Sequence, residues 1–281
     1  INLFLISSLV TFLIGLTDDI DQKSPFVRLA GQISVSTFIW NAFFKIKVIQ
    51  FPFEILGSNN IEIPLFISYL ITIFWLVGLT NAINWLDGLD GLAGGFSLVS
   101  LFSLTLVFLF NNNLVFSIFS ISLTGALAGF LVYNLYPAKI IMGDGGSNLL
   151  GFNLAFLSVI AFLPNSFAES GVIQISLLPF LLLNLPILDM TSVVILRTFS
   201  GKSIFYPDRS HFHFLLIDRK LSIPLTVLII IIIAELSAFI TLSLVSSKLV
   251  YFLIPGFLVF NLFFIAKTRK FLFVKNKNFK N

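Results

Sequence analysis

Apolar residues run through this chain in blocks rather than in alternation. Nine blocks separate, at roughly 1–16, 28–49, 63–83, 95–111, 114–135, 148–164, 172–196, 222–246 and 249–267. Each spans or nearly spans a bilayer, whose hydrocarbon core takes about 20 apolar residues in helical form. Inside lipid every backbone N–H and C=O must bond within the protein, and the alternation is too weak for a barrel, so the pattern predicts helices. The expected fold is all-α, a polytopic transmembrane helix bundle of about nine spans. It forms a single integral membrane domain over residues 1–281, with no internal repeat and no soluble domain. The connections are short except 48–62 and 197–221.

Composition supports the bilayer as solvent. Hydrophobic residues make up 57% of the chain and charged residues 11%, with a mean hydropathy of +1.03. A soluble domain has about 25% charged residues, so this chain could not cover a water-facing surface. The first residue, Ile1, already lies in an apolar run with no basic segment before it. That pattern argues against a signal peptide, and missing N-terminal spans are the expectation. The absence of cysteine excludes disulfide and thiol chemistry. The net charge of +4 would suggest nucleic acid in a soluble protein, but the basic residues lie in short loops and the tail, without the aromatic-interleaved patches of a nucleic-acid groove. Nine spans place alternate loops on opposite sides. Fourteen of the 17 Lys and Arg residues fall on one side, with Lys45, Lys47 and Lys248 on the other. The positive-inside rule makes the first side cytoplasmic.

The acids sort to the same side: Asp18, Asp19, Asp21, Asp87, Asp90, Asp144, Asp208 and Asp218. A carboxylate at a helix centre costs about 2.5–3.5 kcal/mol on insertion scales, so acids gathered at a membrane edge call for a metal or a cationic partner. Four clusters carry them. The first is Gly15-Leu16-Thr17-Asp18-Asp19-Ile20-Asp21, whose adjacent carboxylates suit Mg²⁺, although alone it reads equally as a solvated helix end. In the second, Asn81, Asn84, Asp87 and Asp90 recur every third residue and share a face if the span continues through them. Glycines 88, 91, 94 and 95 there also allow close helix packing. The third runs from Pro137 to Asn148. Its Gly143-Asp144-Gly145-Gly146 precedes Ser147, a candidate N-cap, and glycines at a helix N-terminus can form an anion site; a simple capped turn explains it as well. The fourth holds Arg197, Lys202, Pro207, Asp208, Arg209 and the two histidines, His211 and His213; its His and Arg can hold a diphosphate or its leaving group, and two His at i, i+2 could also ligate a metal. Two acids lie inside spans. Asp189 follows Pro186 and could equally pair with a neighbouring helix, and Glu235 sits among isoleucines with no assigned role.

Taken in order, these stretches resemble one family. GLTDDIDQKSPFVRLAGQ, NAINWLDGLDGLAGG, YNLYPAKIIMGDGGSNLLGF and PILDMTSVVILRTFSGKSIFYPDRSHFHF are similar to the motifs of the polyprenyl-phosphate N-acetylhexosamine-1-phosphate transferases, glycosyltransferase family 4. The resemblance implies that a polyprenyl-phosphate oxygen attacks the β-phosphate of a UDP-N-acetylhexosamine, GlcNAc by default, and that UMP leaves. It implies Mg²⁺, or Mn²⁺ in its place, on Asp144. Asp18 and Asp19 would sit by the diphosphate, one of them deprotonating the lipid phosphate, and Asp87 would position the nucleotide diphosphate and its metal. Asp90 would contact uracil, Asn81 and Asn84 would line the pocket, and Arg209, His211 and His213 would lie near the phosphates. The implied partners are the UDP-sugar, undecaprenyl or another polyprenyl phosphate, the bilayer and a second copy in a homodimer, with the active site facing the cytoplasm of a cell membrane.

Two departures stand out. The family's two helices before the Asp-Asp motif are missing, and the histidine motif ends at Phe214 where His-His is usual. PDRSHFHF is closer to the GlcNAc-1-phosphate transferases than to phospho-MurNAc-pentapeptide translocase, the alternative within the family, whose motif has three consecutive His. A cation or proton transporter is the alternative of another class. It should place acids near mid-membrane and carry paired repeats, whereas these acids lie at one edge.

Overall fold

A computed structural model describes residues 1–22, 24–55, 58–163, 173–205 and 209–272. Lys23, Pro207, Asp208 and the tail lysines Lys275, Lys277 and Lys280 lie outside the described residues.

The architecture is helical. In order, the elements are α1 (Asn2–Ile20), α2 (Pro25–Ala42), β1 (Ile46–Ile55), β2 (Ser58–Glu62), α3 (Leu65–Leu86), α4 (Leu92–Phe110), α5 (Leu114–Asn134), α6 (Gly143–Ala161), β3 (Ile173–Ile175), α7 (Leu178–Leu182), α8 (Asn184–Phe199), α9 (Phe212–Asp218), α10 (Ile223–Val245) and α11 (Ser247–Thr268). Among the described residues, six helices (α1, α3, α4, α5, α10 and α11) are long and apolar enough to cross a membrane. Together they make a multi-pass membrane bundle.

The other three apolar blocks differ from the expectation of one span each, for local reasons. The block at 28–49 stops being helical at Ala42, and its end enters a strand. There β1 pairs antiparallel with β2 through Val48↔Glu62, Ile49↔Ile61 and Gln50↔Asn60, and parallel with β3. β-Branched Ile46, Val48 and Ile49, alternating with Lys45 and Lys47, favour a strand over a further turn of helix, and this strand is the central one of the three. The block at 172–196 breaks into β3, α7 and α8, because prolines 179 and 186 are tolerated only in first turns. The block at 148–164 is α6, which begins earlier, at Gly143, with a polar first turn.

The bundle is built around α4 and α6. α4 is buried on nearly all sides, packed by α5, α6, α10 and α11. α6 lies against α1, α3 and α4. α3 leaves the small sheet at Leu65 and ends at Leu86, about 33 Å further on at 1.5 Å per residue. It therefore carries the chain from the sheet at one end of the bundle to the acidic motifs at the other. Phe4, Phe44, Phe152 and Phe156 stack in the core between α1, α6 and the base of the sheet.

Candidate active site

The first three acidic motifs meet where α1, α2, α3 and α6 end on the same side. Their meeting depends on one close approach. Gly15 in α1 lies against the backbone of Asp144 and Gly145, where a β-carbon would come within 2.2 Å of the Asp144 carbonyl oxygen. Four residues on, Asp19 closes the N-terminus of α6. Its Oδ1 accepts from the Asp144 N–H at 2.8 Å and its Oδ2 from the Gly145 N–H at 2.9 Å. Helix N-termini leave such N–H groups unsatisfied and carry positive partial charge. Ser147 was the expected cap. It lies instead inside the first full turn, where its Oγ donates to the Gly143 carbonyl at 2.9 Å. The anion site expected before this helix is occupied by the protein's own carboxylate.

Asp144 is the hub. Its Oδ2 accepts from Arg28 Nη1 at 2.7 Å and its Oδ1 from Asn84 Nδ2 at 2.8 Å. The same Arg28 nitrogen reaches Asp18 Oδ2 at 2.9 Å, so one guanidinium joins α1, α2 and α6. The side chains of Arg28 and Asp18 are only 16% and 14% exposed, so solvent screens this pair weakly. Asn84 also donates to Ser147 Oγ at 2.9 Å. One turn earlier, Asn81 donates to Gln32 Oε1 at 2.7 Å.

The helix carrying Asn81 and Asn84 does not continue through Asp87 and Asp90, so the single polar face expected for all four is replaced by a helix end and a turn. α3 stops at Leu86, Asp87 is its C-cap, and Gly91 at φ +81° begins α4. The turn points Asp90 elsewhere: its Oδ2 accepts from the Ala138 N–H at 2.9 Å. Asn134 bonds across the same junction, accepting from the Gly91 N–H and donating to the Ile140 carbonyl. Asp90 thus ties the 136–142 connection to the α3–α4 turn.

Asp87 faces the acids. Burial, and then the charges of Asp144, Asp90 and Asp19, push its pKa up to about 6. Among the described residues no side chain donates to it. Nor do three acid or histidine side chains converge to cage a cation without further ligands.

The histidine segment docks on the same turn. The ring of His213 rests on Gly88, where a β-carbon would meet Nε2 at 2.5 Å. His213 is fully buried, and neither ring nitrogen has a hydrogen-bond partner among the described residues. Burial, with the adjacent His211, drives its pKa down to about 4, although the Asp189 charge opposes this. His211 stacks on His213 at 5.4 Å and meets the edge of Trp85 at 5.7 Å. Arg209 pairs with Asp218 at 2.7 Å and lies over Phe214. No contact among the described residues brings Arg209 to the carboxylates.

Arg28, Gln32 and Asn134 lie within the family-like stretches, but the sequence alone assigns none of them a role in the site, and Arg28 counts there only among the basic-side residues. Arg28 and Gln32 lie four residues apart on one side of α2, a spacing readable only once the partner helix is known. Asp189 was noted for its position, and it does pair: its Oδ2 lies 2.7 Å from His211 Nδ1. Glu235 accepts from Asn261 of α11.

The sequence profile of glycosyl transferase family 4 matches residues 1–162, which hold α1 to α6 and all three acidic motifs. The chain belongs to this family. Similar proteins extend the match beyond it. A probable undecaprenyl-phosphate N-acetylglucosaminyl 1-phosphate transferase of Bacillus subtilis is 32% identical over 228 residues, 81% of this chain and 61% of that protein. A decaprenyl-phosphate N-acetylglucosaminephosphotransferase of Mycobacterium tuberculosis is 34% identical over 250 residues, 84% of this chain and 61% of that protein. A phospho-N-acetylmuramoyl-pentapeptide-transferase of Lactobacillus johnsonii is 34% identical over 190 residues, 66% of this chain and 55% of that protein. The chain spans about three fifths of the length of the first two relatives. Within the family 4 domain the conjunction of Asp18, Asp19, Asn84, Asp87 and Asp144 at one end of the bundle is the candidate reaction centre.

Proposed function

We propose that this family 4 protein transfers an N-acetylhexosamine-1-phosphate, GlcNAc-1-phosphate in the first instance, from a UDP-sugar to a membrane polyprenyl phosphate. The lipid phosphate oxygen forms a bond to the β-phosphorus. The bond from that phosphorus to the oxygen bridging the α-phosphate breaks, and UMP leaves with the electron pair. The product is a polyprenyl diphosphate sugar. The observation that carries the reading is the unneutralised carboxylate Asp87 beside an Arg28-bridged acid pair at the membrane edge. Such a place is reachable from lipid and from water, and it has an electrostatic deficit that a cation would relieve.

The donor set fits Mg²⁺, with Mn²⁺ the other hard cation it would accept. Mg²⁺ is usually held by one or two carboxylates plus substrate phosphates, without an all-protein cage. Asp144 would hold it with Asp87 beside, each Asp144 oxygen keeping a second lone pair. When bound, the ion supplies charge neutralisation where two anionic substrates meet. The protein does the rest. Arg28 holds Asp18 and Asp144 in place. Asp19 fixes the α6 N-terminus against α1. Asn81 and Asn84 would line the donor pocket, and Asp90 would act on it through the 136–142 connection that it braces. Arg209, His211 and His213 lie on the side from which phosphates would be held. This end of the bundle would face the cytoplasm, the side to which alternation of the nine apolar blocks assigns most of the Lys and Arg residues.

The test is transfer of label from radiolabelled UDP-GlcNAc into the lipid phase in membranes supplied with polyprenyl phosphate and Mg²⁺. Transfer with UMP release, silenced by Asp144→Ala and by EDTA, is expected. No transfer from any UDP-hexosamine by well-folded protein would overturn the reading and favour a transporter. The pentapeptide-linked donor is a further arm of the same assay, since proteins named for that reaction are also similar.

A further inference from the structure

Asp189 lies inside the bundle, 7% exposed, on the buried stripe of α8 with Val193 and Arg197. A carboxylate there is expensive unless its lone pairs are used. Both oxygens are used, and both by the histidine segment. Oδ2 lies 2.7 Å from His211 Nδ1, and Oδ1 accepts from the Phe212 N–H at 2.6 Å. Phe212 is the first residue of α9, so an acid on one helix caps the next across 23 residues of sequence. Arg197, two turns further along α8, donates to the Ile204 carbonyl at 2.6 Å and lies 5.0 Å over the ring of Trp85. Trp85 meets His211 with its edge, and it precedes Asp87 by two residues.

We infer that Asp189 is a positioning residue of the transfer reaction: it locks His211 in one tautomer and pins the histidine segment against the Asp87 turn. The inference rests on the transferase reading. As a carboxylate with one oxygen already accepting from Phe212, Asp189 can only accept from His211. Nδ1 then carries the proton, and Nε2 alone is left to meet a ligand phosphate, as acceptor when neutral and as a charged donor when protonated. Asp189→Asn is nearly isosteric but breaks this logic. With its Oδ1 kept on the Phe212 N–H, its NH2 faces His211 Nδ1, which can accept only in the other tautomer, with the proton on Nε2, and no carboxylate remains to support an imidazolium.

The experiment is a double-mutant cycle on transfer in membranes, with amide exchange in detergent as a second reading. Asp189→Asn is expected to lower kcat about 10- to 100-fold, as loss of an orienting partner does, with the KM for the UDP-sugar within about threefold. His211→Ala should cost at least as much. The double variant should be no slower than His211→Ala alone, because Asp189 acts through His211. Exchange across residues 211–218 should quicken in Asp189→Ala. Losses that multiply, an Asp189→Asn enzyme with normal kcat, or a harmless His211→Ala would overturn the positioning role. Unchanged exchange in Asp189→Ala would overturn the pin. An inactive wild type would count against the transferase reading instead, and the exchange arm would still judge the contact.

Discussion

Gly15→Ala tests the geometry of the site through one methyl group. The added carbon would lie 2.2 Å from the Asp144 carbonyl oxygen, 2.5 Å from its carbon and 2.7 Å from the Gly145 α-carbon. All three are backbone atoms, so no side chain can swing away. Moving the nearest contact from 2.2 Å to an ordinary 3.4 Å opens α1 from α6 by about 1.2 Å. That opening stretches the Asp19 bonds to the Asp144 and Gly145 amides, now 2.8 and 2.9 Å, to about 4 Å, where neither is a hydrogen bond. Overpacking of this kind costs about 1–3 kcal/mol, and a hydrogen bond to a charged group contributes roughly 1.5–3 kcal/mol. Asp19 is exposed and would recover water, so a total of about 2–4 kcal/mol is expected. The effect on rate should exceed the effect on folding, because misplacing reacting groups by about 1 Å lowers rate on the order of 100-fold. The assay is lipid-linked label per unit of protein in membranes, beside thermal unfolding in detergent. A variant with half the wild-type turnover and an unchanged melting temperature would refute the claim that the α1–α6 contact sets the site.

The other expectations are more local. Gly125→Ala and Gly129→Ala, on α5 where nothing lies within 4 Å of the new carbon, should leave transfer unchanged and stability equal or up to about 1 kcal/mol higher; a large loss of transfer would show that this face is covered. Asp144→Asn keeps a shape that Asn84 and Arg28 can bond in part, and it should fold yet lose transfer at every Mg²⁺ concentration; full activity at high Mg²⁺ would reassign the ligand. Asp87→Asn should lose transfer but melt higher than wild type at pH 7.5 in EDTA. The Asp87 pKa is raised from 3.8 to about 6, so its protonated form stabilises the fold at low pH, and that contribution is lost as pH rises through 6. The gap between Asp87→Asn and wild type should therefore close between pH 6 and 4, and equal melting at pH 7.5 would refute it.

Much of this was readable from the chain, because lipid leaves the backbone few options. The apolar blocks located the six clearest crossing helices, and the order of the acidic motifs named the family. What escaped was of two kinds. Strands β1 and β2 were hidden because Ile46-Lys47-Val48-Ile49-Gln50 continues an apolar block, and hydropathy does not separate a β-branched strand from the last turn of a span. The roles of the polar residues escaped because they depend on partners far away in sequence. Asp19 looks like a phosphate-side acid until α6 is placed against it, 125 residues on. Asn81, Asn84, Asp87 and Asp90 share a period of three, but Gly88 and Gly91 let the chain turn between them. The period therefore described two residues on a helix and two beyond it, one of which braces the 136–142 connection.

The division of labour among the carboxylates follows from what each already holds. Asp19 is committed to two amides of α6, and Asp18 bonds the same guanidinium nitrogen as Asp144, which also has Asn84. Asp87 is left with no donor among the described residues, and burial first, then the charges of Asp144, Asp90 and Asp19, raise its pKa. A divalent ion entering this cluster gains least where a cation or amide already sits and most where charge is uncompensated. On the transferase reading proposed above, the electrostatic demand for a metal would fall at Asp87, with Asp144 next to it, and Asp18 and Asp19 would be the frame. A site built this way would be less stable when empty than with its ligands. For that reason the expected gain in stability on losing Asp87 and the expected loss of transfer are two readings of one arrangement.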